Sequence, residues 1–266
     1  MTAFSELIPH YDGFIFDQYG VLHDGQSLYS GAQEALNACH DAGKPAVMLT
    51  NSGRSAKANA TRLSHIGLDA SSLRAIVTSG DLALSDLAAE TGTGPVFVIA
   101  RGGATLDLPK PQTKDPEAAG FLLIAGSSAD RISETAYREL LRPLAERGVR
   151  ALCSNPDLQM LTPSGLRAGA GRIAAWYEEM GGAVSYTGKP WPAIYRAAVA
   201  ALDLPQGAKI CCVGDSLHHD ILGATRVGLA SILVRTGVSE ALEPVAIDRL
   251  SEQIGARPTH ILNDLA

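Results

Sequence analysis

Along this chain, apolar runs of four or five residues alternate with longer segments whose apolar positions recur at helical spacing. The runs Gly13–Asp17, Ala46–Leu49 and Ala75–Thr78 read as strands, separated by helices over Ala32–Ala42, ending at Gly43, and Ala56–Ile66. After Ser79-Gly80 the texture changes. Strands are predicted at Val96–Ala100, Phe121–Ala125 and Val149–Cys153, with helices at Ser133–Arg147 and Leu166–Met180. A loop rich in Gly, Pro and Lys lies between Arg101 and Gly120. The first texture then resumes with a helix at Pro192–Leu202, a strand at Lys209–Val213, a helix from Asp220 and strands at Ser231–Val234 and Thr259–Leu262. Strands alternating with helices predict an α/β fold built on a parallel sheet. The simplest domain plan is one domain, 1–80 and 186–266, interrupted by a second, 81–185, which is long enough to hold its own core.

The 266 residues carry a net charge of −6, with 46% hydrophobic and 19% charged residues, the balance of a globular protein. No basic footprint marks a nucleic-acid partner. No stretch approaches the ~20 apolar residues of a membrane span, and the first residues lack the basic n-region of a signal peptide. The four cysteines (Cys39, Cys153, Cys211, Cys212) lack metal-ligand spacing and read as buried free thiols. The expectation is a cytoplasmic protein without membrane contact.

Four segments far apart in sequence share one property: each stands at or just past the C-terminal end of a predicted strand, the edge where open parallel sheets bind ligands. They are Asp17-Gln18-Tyr19, Thr50-Asn51-Ser52, Gly188-Lys189-Pro190, and Gly214-Asp215-Ser216 with Asp220. Each alone is a weak signal, since such residues more often make turns. In this order the set resembles the haloacid dehalogenase superfamily. Ser154-Asn155-Pro156-Asp157, Ala168-Gly169-Ala170-Gly171 and Thr187-Gly188-Lys189-Pro190 look like its class IIA, the p-nitrophenyl and pyridoxal phosphatases. The resemblance implies a Rossmann-like core with an inserted α/β cap at 81–185. It also implies hydrolysis of a small phosphorylated metabolite through an aspartyl-phosphate on Asp17, and it allows a homodimer.

The chemistry asked of these residues is set by charge. A carboxylate approaching a phosphate dianion at ~3 Å meets roughly 11 kcal/mol of repulsion at an effective dielectric of about 20. Asp17, Asp215 and the backbone carbonyl of Tyr19 offer hard oxygen ligands suited to Mg²⁺, with Asp220 at the metal site or just behind it. Lys189, Thr50 and the amides of Asn51 and Ser52 can meet the phosphoryl oxygens. Against these stand plainer readings: a solvated Lys189, an Asp220 that only favours a helix start, solvated loop residues for His218 and His219, and a turn at Asn155-Pro156-Asp157.

Tyr19 departs from the family pattern, where a second aspartate protonates the leaving group and then deprotonates water. A phenol can donate a proton at neutral pH but makes a poor base afterwards. His23 or Asp24, on the same loop, could substitute. The Asp-x-Tyr loop also resembles that of the superfamily's dehalogenases, which hydrolyse carbon–halogen bonds without metal. A third reading is a phosphate-ligand binding protein that has lost turnover. The substrate-reading residues are not legible; Arg101, Arg131 and Arg167 are bare candidates.

Overall fold

The computed structural model describes residues 3–103, 107–162 and 165–266, and it divides into two compact units. The first comprises Met1–Thr50, Ala56–Val77 and Lys189–Ala266; the second comprises Asn51–Ser55 and Thr78–Gly188.

The first unit is organised by a six-stranded sheet in the order His260–Leu262, Ala230–Val234, Ile210–Gly214, Gly13–Asp17, Ala46–Thr50, Ala75–Thr78. The edge strand's last residue, Thr78, is the residue at which the chain passes into the second unit. Gly13–Asp17 runs parallel to both neighbours, with Phe16 opposite Val213 on one side and Met48 on the other. Side chains alternate between faces along a strand. Phe14, Phe16, Met48, Cys211, Val213, Ile232 and Val234 therefore fall together in one core with Phe4 and with Leu36 and Cys39 of the helix Ala32–Asp41. Phe14 and Phe16 are fully buried, and Phe4 sits against both with ring centroids 5.4 and 5.6 Å away. Burial at this level contributes roughly 1.5–3 kcal/mol for each phenylalanine. The opposite parity, Ile15, Val47 and Leu49, is equally buried, and the helix Pro192–Leu202 packs against these two strands with Ile194, Tyr195, Ala198 and Leu202 inward.

This strand order contains a reversal that locates the site. From Gly13–Asp17 the chain builds outward through Ala46–Thr50 to Ala75–Thr78; it later returns to the other side and builds the opposite way through Ile210–Gly214. Ligands in such sheets bind beyond the strand ends at the reversal. Asp17 shares its parity with Ile15, so it leaves the strand on the side of the helix that Lys189 precedes.

The second unit has its own parallel sheet, ordered Val184–Tyr186, Ala151–Cys153, Phe121–Ile124, Val96–Ile99, Gln112–Thr113. One face packs Phe97, Ile99, Leu122 and Ile124 against Tyr137, Leu141 and Leu144 of the helix Glu134–Glu146 and Ile173, Trp176 and Tyr177 of the helix Ala170–Glu179. The other face packs Val96, Phe121, Leu123 and Leu152 against Ala83 and Leu87 of the helix Ser79–Ala89. That helix is started by Thr78, whose Oγ1 accepts the Asp81 N–H at 2.9 Å.

The expected helix Leu166–Met180 is corrected at its start. Gln159–Thr162 and Gly165–Ala168 form an antiparallel pair, and the helix begins only at Ala170. Gly169 and Gly171 donate their N–H groups back to the carbonyls of Leu158 and Asp157, at 2.9 and 3.0 Å, which ties the helix start to the residues just ahead of the strand Gln159–Thr162. Asn155 forms the expected turn, its Oδ1 accepting the Asp157 N–H at 2.9 Å. Residues 104–106 of the expected loop between Arg101 and Gly120 lie outside the described residues. Among the described residues no helix is long and apolar enough to cross a membrane. All four cysteines are free and buried.

Candidate active site

At the reversal in the first sheet, the structure gathers Asp17, Lys189, Asp215 and Asp220. The Lys189 ammonium is 97% withdrawn from solvent with its residue, and its Nζ lies 2.6 Å from Asp17 Oδ1 and 2.7 Å from Asp220 Oδ1. Burial alone would push this lysine's pKa down, but the carboxylates of Asp17 and Asp220 outweigh it and hold the group above the usual lysine range. It is a fixed positive charge.

Each carboxylate is held by backbone as well. Asp17 Oδ1 accepts the Gln18 N–H at 2.6 Å. Asp215 Oδ2 accepts the Val238 N–H at 2.7 Å, and the Asp215 carbonyl accepts the Ser239 hydroxyl. Asp220 Oδ2 accepts the Ser216 N–H at 3.0 Å from within the π-helical turn Leu217–Ile221. Two glycines make room for Asp215. Gly20 (φ +92°) and Gly237 (φ +51°) both adopt left-handed backbone, and a Cβ on either would strike the Asp215 carboxylate.

Oxygens of Asp17, Asp215 and Asp220 lie within 4.8 Å of one another. Two carboxylates at that distance repel by about 3–4 kcal/mol at an effective dielectric of about 20. One lysine offsets only one of the three charges. Burial, then partial compensation by Lys189, leaves Asp17 raised to about 7. Burial and the neighbouring Asp17 and Asp220 raise Asp215 to about 8. A cradle of hard oxygens with surplus negative charge, spaced for one small ion, fits a divalent cation.

Thr50 ends its strand buried in this unit, whereas Asn51 and Ser52 group with the second unit. There Asn51 Nδ2 donates to Asp157 Oδ1 at 3.2 Å. His218 is exposed and lies outside the acidic cluster. Tyr19 is 59% exposed, and its ring meets His23 edge-on with centroids 5.6 Å apart. His23 is buried, its Nε2 is 3.1 Å from the Gln18 amide nitrogen, and burial lowers its pKa below the ordinary histidine value. Asp24 closes its own turn, accepting the N–H groups of Gln26 and Ser27. Arg101, Arg131 and Arg167 are all exposed in the second unit.

Sequence reasoning missed the segment Thr236–Ser239. Thr236 donates its hydroxyl to the Gly20 carbonyl at 2.5 Å, and Val238 and Ser239 hold Asp215. The available signal was positional: Arg-Thr-Gly follows the strand adjacent to Ile210–Gly214, at the same sheet edge.

Comparison with known proteins places the chain among relatives. The family model described as haloacid dehalogenase-like hydrolase matches residues 14–110, and a second, described as HAD-hydrolase-like, matches residues 186–266. Dihydroxyacetone phosphatase of Corynebacterium glutamicum is 27% identical over 95% of this chain and 89% of its own length. The chain belongs to the haloacid dehalogenase-like hydrolases. Among solved structures, a hydrolase of this family from Brucella suis aligns with a TM-score of 0.80 at 26% identity, covering 100% of both chains. The p-nitrophenyl phosphatase from Archaeoglobus fulgidus aligns with a TM-score of 0.78 at 26% identity, covering 96% of this chain and 97% of its own. Both family matches include a part of the candidate site: Asp17, Tyr19 and Thr50 in one, Lys189, Asp215 and Asp220 in the other.

Proposed function

We propose that this hydrolase is a Mg²⁺-dependent phosphatase that cleaves a small phosphate monoester through an aspartyl-phosphate on Asp17. The observation that carries the reading is the buried Lys189 ammonium set between Asp17 and Asp220, with Asp215 completing the acidic cradle. The phosphatase names of similar proteins point the same way.

Asp17, Asp215, Asp220 and the Tyr19 backbone carbonyl would hold the ion. When bound, Mg²⁺ supplies positive charge against the substrate's phosphoryl oxygens. The chain's own groups do the remaining work. Lys189 lowers the Asp17 pKa against the effect of burial, orients the carboxylate for attack and adds charge facing the phosphoryl group. An Asp17 oxygen forms the bond to phosphorus as the phosphorus–oxygen bond to the leaving group breaks, and the departing oxygen takes a proton. Water then attacks the phosphorus of the acyl phosphate, giving up a proton, releasing inorganic phosphate and restoring the Asp17 carboxylate. Thr50 and the Asn51 and Ser52 amides serve as donors to the phosphoryl oxygens. Tyr19 can protonate the leaving oxygen but is poorly suited to deprotonate water, so the second step is slow. The second unit acts as the cap that selects the substrate. Four buried free thiols suit a reducing, cytoplasmic compartment.

Carbon–halogen hydrolysis needs no dication, and the buried pair Asp215 and Asp220 beside Asp17 would have no role in it. Phosphate release from p-nitrophenyl phosphate and a panel of phosphorylated metabolites, with and without Mg²⁺, tests the reading. Halide release from 2-haloacids without phosphate release would overturn it.

A further inference from the structure

Asp220 is placed by an irregularity in the chain. It lies in a single π-helical turn, Leu217–Ile221, before the short α-helix Leu222–Arg226. One-turn π-segments are energetically poor in isolation and recur at functional sites. Here the carbonyls of the turn receive an unusual partner. Tyr195, buried within the helix Pro192–Leu202, donates its hydroxyl to the His219 carbonyl at 2.9 Å, with the Asp220 carbonyl 3.3 Å away. The Leu222 N–H reaches the carbonyls of Leu217 and His219, so the Tyr195 hydroxyl is a second donor to the His219 carbonyl within the π-turn.

Two glycines clear the space this requires. A Cβ at Gly223 would collide with the Tyr195 ring and hydroxyl, and a Cβ at Gly214 would collide with the Asp220 side chain. The phenol therefore occupies a fitted slot on one side of the turn, and the carboxylate occupies another. From that position Asp220 reaches Lys189 Nζ through one oxygen and the Ser216 N–H through the other. Tyr195 and Lys189 flank the start of the same helix, so the hydroxyl contact also fixes the Asp220 turn relative to the segment carrying the lysine.

We propose that Tyr195 is the positioning residue for Asp220: its hydroxyl holds the π-turn in register and so sets the carboxylate that completes the divalent-cation cradle. This inference rests on the Mg²⁺ reading above. Partners behind a metal ligand typically change metal affinity by about 10–100-fold.

Tyr195→Phe removes one oxygen and leaves the ring in its slot. Mg²⁺ binding is measured by calorimetry on the substrate-free protein, with thermal melting recorded in parallel. The expected result is a Kd for Mg²⁺ raised about tenfold, with lost turnover recovered as Mg²⁺ is increased. An unchanged Kd, even with a lowered Tm, reduces Tyr195 to a packing residue and overturns the inference. Wild-type protein that binds no Mg²⁺ overturns the metal reading and the inference with it. If Tyr195→Phe does not fold, Gly223→Ala, which keeps the hydroxyl but fills its slot, must weaken Mg²⁺ in the same way; unaltered binding there is equally contradictory.

Discussion

Replacing Lys189 by methionine keeps most of the side-chain volume and removes the ammonium that contacts Asp17 and Asp220 at the centre of the site. The ammonium contacts Asp17 at 2.6 Å and Asp220 at 2.7 Å. At an effective dielectric of about 20, each contact is worth about 6 kcal/mol of direct attraction. Much of that offsets the cost of burying the charges. What survives when one partner of a buried pair is deleted is typically a loss of 3–5 kcal/mol, because the remaining charges are stranded. In this protein two carboxylates are stranded beside a third. Urea unfolding without Mg²⁺ should show the midpoint falling by roughly 1–2 M. Mg²⁺ should recover part of the loss, because it binds the folded cradle and not the unfolded chain. Turnover should fall by about 10²–10³, the usual consequence of deleting one preorganised electrostatic group. A variant as stable as the parent without metal, and within about tenfold of its activity, would refute the view that Lys189 neutralises the cluster.

Two further outcomes follow from the same structure. Tyr19→Asp should raise turnover by at least about tenfold, towards the 10²–10⁴ that a placed acid–base group supplies; unchanged steady-state phosphate release would remove Tyr19 from the account of slow turnover. The thiols of Cys39, Cys153 and Cys211 are pushed up to about 12 by burial, and Cys212 is raised well above its ordinary value. At pH 8 only about one in ten thousand of the first three is thiolate, so the native protein should be silent to a disulfide reagent and show all four thiols in urea. One rapid native equivalent would contradict the buried placement.

The legibility of the fold varies with how each element is punctuated. Gly13–Asp17, Ala75–Thr78 and Pro192–Leu202 lie where their patterns place them, with Gly13 and Asp17 bounding one and Pro192 starting another. The helix Ser79–Ala89 was not read because it starts directly from a strand, with Thr78 serving as both the last strand residue and the cap. The helix Pro244–Ile254 was legible in principle: Pro244 stands at its first position and Gly255 closes it in left-handed backbone. At Leu166–Met180 helical periodicity misled, because Gly165–Ala168 pairs with Gln159–Thr162, a partner strand that periodicity alone does not reveal.

The site divides along the same line. Asp17, Lys189, Asp215 and Asp220 were legible only as an ordered set, since each alone reads as a turn or helix-start residue, and the strand order explains their approach. Val238 acts through a backbone N–H, Gly20 and Gly237 through the absence of a side chain, and Tyr195 through a hydroxyl buried against backbone carbonyls. Such roles leave no pattern of polarity in the sequence. They become visible only when the groups they hold are seen in place.

The central claim is that Asp17 carries the phosphoryl group during turnover, with hydrolysis of that intermediate as the slow step. Acid quenching during steady-state turnover of p-nitrophenyl phosphate with Mg²⁺, followed by peptide mass mapping, tests it directly. The account predicts one phosphoryl group on the peptide containing Asp17, lost when Mg²⁺ is withheld and absent from Asp17→Asn. Undiminished phosphate release by Asp17→Asn, or the phosphoryl group on another residue, would contradict it.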